Sequence, residues 1–163
     1  MSDDHLYRGA RAMVHLHEVS LREFTAVWKR AKAEELVLPP LEDPSYASLD
    51  TLLHHVLRAA RGYMVWMCEK LELAPPGIDE PPPVEDVTER LDAYIDHLLA
   101  GWREPLRNVP AEKFERGTFE SWWGVHYCVD AMLEHAVMHP VRHSFQLEEW
   151  LQAAVSVGSG GDL

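Results

Sequence analysis

Apolar residues recur at three- and four-residue intervals in four stretches of the chain, the spacing that gathers them on one face of an α-helix. The first stretch, roughly Asp4 to Glu35, carries Leu6, Ala10, Met13, Leu21, Phe24, Val27 and Trp28. It should stop before LVLPPLEDP, where Pro39, Pro40 and Pro44 forbid continuation. Ser48 reads as the N-cap of a second helix reaching about Leu73, with Asp50 in a first turn where the helix dipole favours negative charge. The run APPGIDEPPP then reads as a stiff, solvated connector.

A third helix should begin near Val84. It sets Val84, Val87, Leu91, Tyr94, Ile95, Leu98 and Trp102 on one side against Glu85, Glu89, Asp92 and Asp96, and Pro105 and Pro110 end it. After the aromatic loop GTFESWWG, a fourth helix is expected from about Val125 to Gln152. Strand-like alternation and internal repeats are absent from the pattern. Four amphipathic helices of comparable length predict an all-α fold, an antiparallel four-helix bundle, in one domain over residues 1–153. The remaining segment, 154–163, has too little apolar content to be held down and is expected to be a flexible tail.

Composition agrees with a single core. The 163 residues are 47% hydrophobic, enough to fold without disulfides, and Cys68 and Cys128 both fall inside apolar helical patterns. With neither a leader-like start nor a bilayer-length apolar run, a cytoplasmic protein without a membrane partner is expected. A formal charge of −12 repels phosphate backbones, so nucleic acid is not an expected partner either.

The histidines change this picture. On a wheel of about 100° per residue, His139 and His143 share the arc of Val129, Met132, Ala136, Leu147 and Trp150, opposite Asp130, Glu134 and Glu148. His55 lies at the edge of the second helix's apolar arc beside Ala59 and Trp66, whereas His54 falls among the arginines and should point outward. A lone inward histidine is usually a satisfied core residue, but three facing one another cost unmet or repelling groups unless an ion or a hydrogen-bond network compensates. Two imidazoles at i and i+4 point at one ion from the same helix face.

Pro140, between them, removes the backbone bond to Ala136 at about 3 kcal/mol for an interior helix position. It marks either a functional site or a packing kink. His135 is marginal and reads as a neighbour of the site or a solvated residue. His5, His15, His17, His97 and His126 have no spacing that brings them onto the cluster, and Cys128 lies about 16 Å before His139 along the helix. Three histidines without a fourth protein ligand leave a coordination position for water, thiol or substrate. Trp122, Trp123 and Phe119 are candidates to cover a pocket or simply the core, and Arg58, Arg61 and Arg142 to hold an acidic substrate or simply to be solvated.

With these residues in view, LLHHVLRAARGYMVW and EHAVMHPVRHSFQL resemble the second- and fourth-helix motifs of the DinB/YfiT-like superfamily of metal-binding four-helix bundles. The second motif has two histidines four apart followed three residues later by glutamine, here Gln146. The resemblance spans about Ser48 to Gln152; Ser144 and Phe145 stand where many relatives carry Arg and Gly. It implies an up-down-down-up bundle, often a homodimer, and a divalent transition metal, zinc or nickel, held by His55, His139 and His143. It further implies a metal-dependent enzyme of thiol S-transferase or hydrolase type, acting on a small-molecule substrate or using a low-molecular-weight thiol. The alternative is a noncatalytic stress-response protein that binds a small ligand or metal in its bundle. The catalytic residues and the substrate are not specified by fold.

Overall fold

Capping and prolines set the helix boundaries much as these signals imply. The structure, a computed structural model, describes residues 5–158. It is mostly helical, with α1 (Arg8–Ala33), α2 (Leu49–Lys70), α3 (Leu91–Arg103), a short α4 (Ala111–Glu115) and α5 (Val129–Gly158). A 3-10 turn, Pro44–Tyr46, precedes α2, and a two-stranded antiparallel hairpin, β1 (Phe119–Glu120) and β2 (His126–Tyr127), precedes α5. The Ser48 hydroxyl accepts from the Thr51 amide at 3.0 Å, satisfying one of the free donors at the start of α2 and fixing that helix's phase.

The longest helices, α1 and α5, form the most extensive pair, and α5 also packs along α2. Phe24 and Trp28 of α1, Leu53 and Leu57 of α2, Leu98 and Trp102 of α3, and Leu133 and Leu147 of α5 are all buried. Each such side chain contributes about 1.5–3 kcal/mol by leaving water. The buried indoles keep their polar edges satisfied. Trp28 Nε1 donates to the Leu49 carbonyl at 2.7 Å, tying α1 to the start of α2, and Trp102 Nε1 donates to Ala60 at 3.1 Å, tying α3 to its middle. No helix among the described residues is long and apolar enough to cross a membrane.

The third helix begins at Leu91 rather than near Val84. Residues 84–90 form successive turns, with Asp86 donating to Pro83 and Arg90 to Asp86. Val84, Val87 and Thr88 are poor helix formers, and Glu85, Asp86 and Glu89 crowd like charges into the same turns. Val87 is nonetheless buried, as the apolar pattern requires.

The connector before it is not solvated throughout. Ile78 is buried against Gly101, where a Cβ would stand 2.3 Å from Ile78 Cγ1. Tyr94 Oη donates to the Asp79 carbonyl, the Asp79 amide to His97 Nε2, and Arg61 Nε to Ile78, each at 2.9 Å. These bonds pin the connector to α2 and α3.

The hairpin and α4 are additions to the four expected helices. The last helix starts at Val129, since residues 125–128 close the hairpin, and it extends past Gln152 to Gly158. The first five residues of the expected tail are therefore helical; residues 159–163, like Asp4 at the expected start of the first helix, lie outside the described residues.

Candidate metal centre

Two helices and one turn build the site. His139 and His143 stand one turn apart on α5 and are buried, and His55 faces them, half-buried, from α2. One ring nitrogen from each lies within 4.8 Å of the others, close enough to bind a metal ion. His55 Nε2 and His139 Nε2 are 3.2 Å apart, and the ring centroids of His139 and His143 are 4.7 Å apart. A tetrahedral ion with bonds of about 2.0–2.1 Å separates its ligand atoms by about 3.3 Å, so the closest pair already has that spacing. Rotation of the remaining ring has at most about 1.5 Å to close.

The outer nitrogens are held so that the inner ones converge. His143 Nδ1 lies 2.9 Å from Gln146 Oε1, an oxygen that only accepts, so Nδ1 carries the proton and Nε2 presents its lone pair. Tyr46 Oη donates to the same oxygen at 2.9 Å and lies 3.4 Å from His143 Nδ1. His55 Nδ1 pairs with Ser45 Oγ at 3.3 Å, which directs its Nε2 toward His139.

Ser45 and Tyr46 reach the site because the 3-10 turn is fixed at its entrance. The Asp43 carboxylate accepts from the Ser45 amide at 2.8 Å, and Pro44 presets the first φ of the turn. The bond from the Ser45 amide also holds the Asp43 carboxyl below the usual carboxylate range.

His139 is the frustrated member. Its Nδ1 is buried without a hydrogen-bond partner. If Nε2 carries the proton it donates to His55 and leaves the Nδ1 lone pair buried; if Nδ1 carries it, a buried N–H goes unmet instead, and the free Nε2 faces His55 Nε2 at 3.2 Å. A cation between the two Nε2 atoms would take up a lone pair from each, which is how the donor set fits a metal.

Burial, reinforced by the neighbouring His143 and His55, pushes the His139 imidazole down to about 2. Burial, with His55 next, takes His143 to about 4, and burial also lowers His55. All three rings are thus neutral at pH 7, the form that ligates a metal.

A cleft of about 720 Å³ leads away from His55 and His139. One wall is aromatic and begins beside His139, whose ring centroid lies 5.7 Å from that of Tyr63. Tyr63 stacks on Trp122 with centroids 5.5 Å apart, and Trp123 stacks on His135 at 5.2 Å. The two tryptophans sit at the hairpin tip, where Gly124 has a φ of +82°, a conformation that L side chains rarely adopt. Trp66 Nε1 donates to Glu120 at 3.1 Å, fastening the hairpin to α2, and Gly62 gives Trp122 room: a Cβ there would lie 3.1 Å from its ring.

The three expected ligands come together, and the other histidines do not join them. His54 is half-buried on α2 rather than fully outward, outside the cluster. His135 lines the cleft wall, its ring centroid 6.4 Å from that of His139. His17 is buried and stacked on Trp102 at 3.6 Å, and Cys128 accepts from the Ala131 amide at the start of α5. Trp122 and Trp123 line the cleft, while Phe119 packs edge-on against Trp66. Ser45, Tyr46 and Tyr63 were not singled out by spacing; Asp43-Pro44-Ser45 is a turn signature that points to the first two, and Tyr63 was hidden in the apolar arc of α2. Comparison with protein-family models, curated proteins and solved structures finds no match to this chain.

Proposed function

We propose that this chain is a three-histidine protein for a divalent transition metal, zinc or nickel, that acts on a small molecule in the adjoining cleft as a thiol transferase or hydrolase. The observation that carries the reading is the convergence of the His55, His139 and His143 ring nitrogens, with Ser45 and Gln146 tying off the outer nitrogens of two of them. His55, His139 and His143 would hold the ion, which would supply Lewis acidity to a thiol or water in the cleft.

The chain's own groups supply the surroundings. Tyr63, buried beside His139, and His135, half-buried on the cleft wall, are the polar side chains placed to hold or pass a proton. Burial keeps the Tyr63 phenol protonated well above neutral pH, so it acts as a donor. Trp122 and Trp123, both exposed, flank Tyr63 along the cleft.

The same reading includes DinB/YfiT-like membership, an up-down-down-up arrangement of α1, α2, α3 and α5, and a homodimer. Met138, Val141 and Phe145, exposed at three- and four-residue spacing on α5, support the last. Two free cysteines, Cys68 and Cys128, support a reducing compartment such as the cytoplasm. A noncatalytic metal- or ligand-binding protein is the second reading, favoured by a cluster made of histidines with no carboxylate to act as a base.

Elemental analysis of protein purified without an immobilised-metal column, followed by zinc titration of wild type and His139→Ala, tests the site. One ion per chain in wild type and none in the variant is expected. Uptake unaffected by the substitution would refute it. Turnover of electrophiles with low-molecular-weight thiols, above that of the triple histidine variant, separates enzyme from binder.

A further inference from the structure

One arginine on the cleft wall, Arg58, and another on α5, Arg142, carry charges that no neighbouring carboxylate uses. Arg58 stands three residues after His55 on α2, and Arg142 three residues after His139 on α5, so each sits about one turn from a histidine of the triad. Both are exposed, and neither makes an ion pair or hydrogen bond among the described residues. Arg22, Arg30, Arg61 and Arg103 sit on carboxylates, while Arg8, Arg11, Arg90 and Arg116, away from the cleft, are also without an ion pair among the described residues. In a chain of charge −12, carboxylate partners for an arginine are plentiful.

Arg58 lines the cleft, and Arg142 stands seven residues after His135, itself on the cleft wall, which puts it on the same face of α5 two turns along. The carboxylates on the cleft wall are already engaged, Glu80 with Arg61 at 2.9 Å and Glu69 with Lys70 at 2.8 Å. Asp43, on the turn beside His55 and His143, is bound to the Ser45 amide. Beside the histidines the cleft wall therefore carries one uncommitted guanidinium group, Arg58, with a second, Arg142, on the His135 face of α5.

The aromatic wall that adjoins the histidines has different chemistry. Trp122, Tyr63 and Trp123 offer ring faces and edges, with Trp122 and Trp123 centroids 4.7 Å apart. Flat, weakly polar walls favour a planar body, and a volume of about 720 Å³ lies in the range of small-molecule sites.

We propose that the cleft binds an organic anion with a planar aromatic or conjugated body, its acidic group held by Arg58 and Arg142 beside the histidines and its body against Trp122 and Tyr63. Guanidinium groups suit this task because their fixed fork of donors matches a carboxylate and they stay charged at any relevant pH. The reaction performed on the anion rests on the metal-site reading, whereas its recognition rests on the arginines and the aromatic wall.

Calorimetric titration with naphthalene-2-carboxylate and with its neutral counterpart, 2-naphthylmethanol, tests the proposal. It is run on wild type, Arg58→Gln, Arg142→Gln and the double variant, each with its zinc content measured and each also after chelator treatment. Wild type should bind the carboxylate at least about tenfold more tightly than the alcohol, as hydrogen bonds to charged groups imply. The double variant should lose that preference while binding the alcohol and taking up zinc as wild type does.

Equal affinity for the two probes in wild type would overturn the proposal. So would carboxylate binding that survives both substitutions but disappears with chelator, since the anion would then be held by the ion alone. Arginine-dependent carboxylate binding in a protein that takes up no zinc would support the proposal and defeat the metal-site reading.

Discussion

Replacing Gln146 by leucine probes how the site is held without touching a ligand. Gln146 Oε1 accepts from His143 Nδ1 and from Tyr46 Oη, both at 2.9 Å, and leucine keeps the approximate volume while removing both bonds. The His143 ring then loses the contact that fixes its tautomer and orientation, and Nε2 presents its lone pair for only part of the time. Removing a hydrogen-bond partner of a metal-bound histidine typically weakens metal affinity by about 10–100-fold. That factor corresponds to about 1.4–2.8 kcal/mol at about 1.4 kcal/mol per tenfold change.

Competition for zinc against a chromophoric chelator at pH 7.5 reads this directly, with urea unfolding of the metal-free proteins as control. The metal-free variant should lose no more than about 1–3 kcal/mol, two ordinary hydrogen bonds, and Tyr46→Phe, which leaves the His143 bond intact, should weaken zinc binding less than Gln146→Leu. Zinc affinity of Gln146→Leu within twofold of wild type would refute the reasoning, because His143 would then need no orienting partner.

Other expectations follow from groups outside the metal centre. His17 is fully buried with both ring nitrogens unpartnered, and burial pushes it from 6.5 down to about 3. The unfolded chain therefore takes up a proton that the folded chain refuses, and stability present above pH 6.5 is lost as pH falls toward about 3, by about 1.4 kcal/mol per pH unit. His17→Phe, which keeps the stack on Trp102, should remove about 2 kcal/mol of the wild-type loss between pH 7.5 and 5.0 in urea unfolding; parallel pH profiles would contradict this. Gly101→Ala drives a Cβ to 2.3 Å from Ile78 Cγ1, so overpacking of about 1–3 kcal/mol should outweigh alanine's helix preference of about 1 kcal/mol, seen as a lower Tm than wild type. Sedimentation should show the proposed dimer for wild type and a monomer for Phe145→Asp, and identical profiles would remove the exposed α5 face from the interface.

The parts legible in the sequence are those that repeat. Helical phase separated His55 from His54 because Ser48 fixes where α2 begins and each residue then turns by a constant angle. The same regularity placed His139 and His143 inward despite Pro140, through which α5 continues. Two-residue strands and the five-residue α4 are too short for any period, so the hairpin carrying Trp122 and Trp123 read only as an aromatic loop. Ile78 looked like a stray apolar residue in a proline-rich run because its partner, Gly101, is distant in the chain. Tyr46 meets Gln146 across the fold in the same way, and one-dimensional spacing holds no trace of such contacts.

The central claim is that His55, His139 and His143 hold one ion while a fourth position admits a small molecule. X-ray absorption at the zinc edge, on protein loaded with one equivalent, tests it most directly. The account predicts three imidazole nitrogens at about 2.0–2.1 Å and one further light ligand that changes when a small thiol is added. A shell of oxygens without imidazole scattering, or a spectrum unchanged in the His55→Ala, His139→Ala, His143→Ala triple variant, would contradict it.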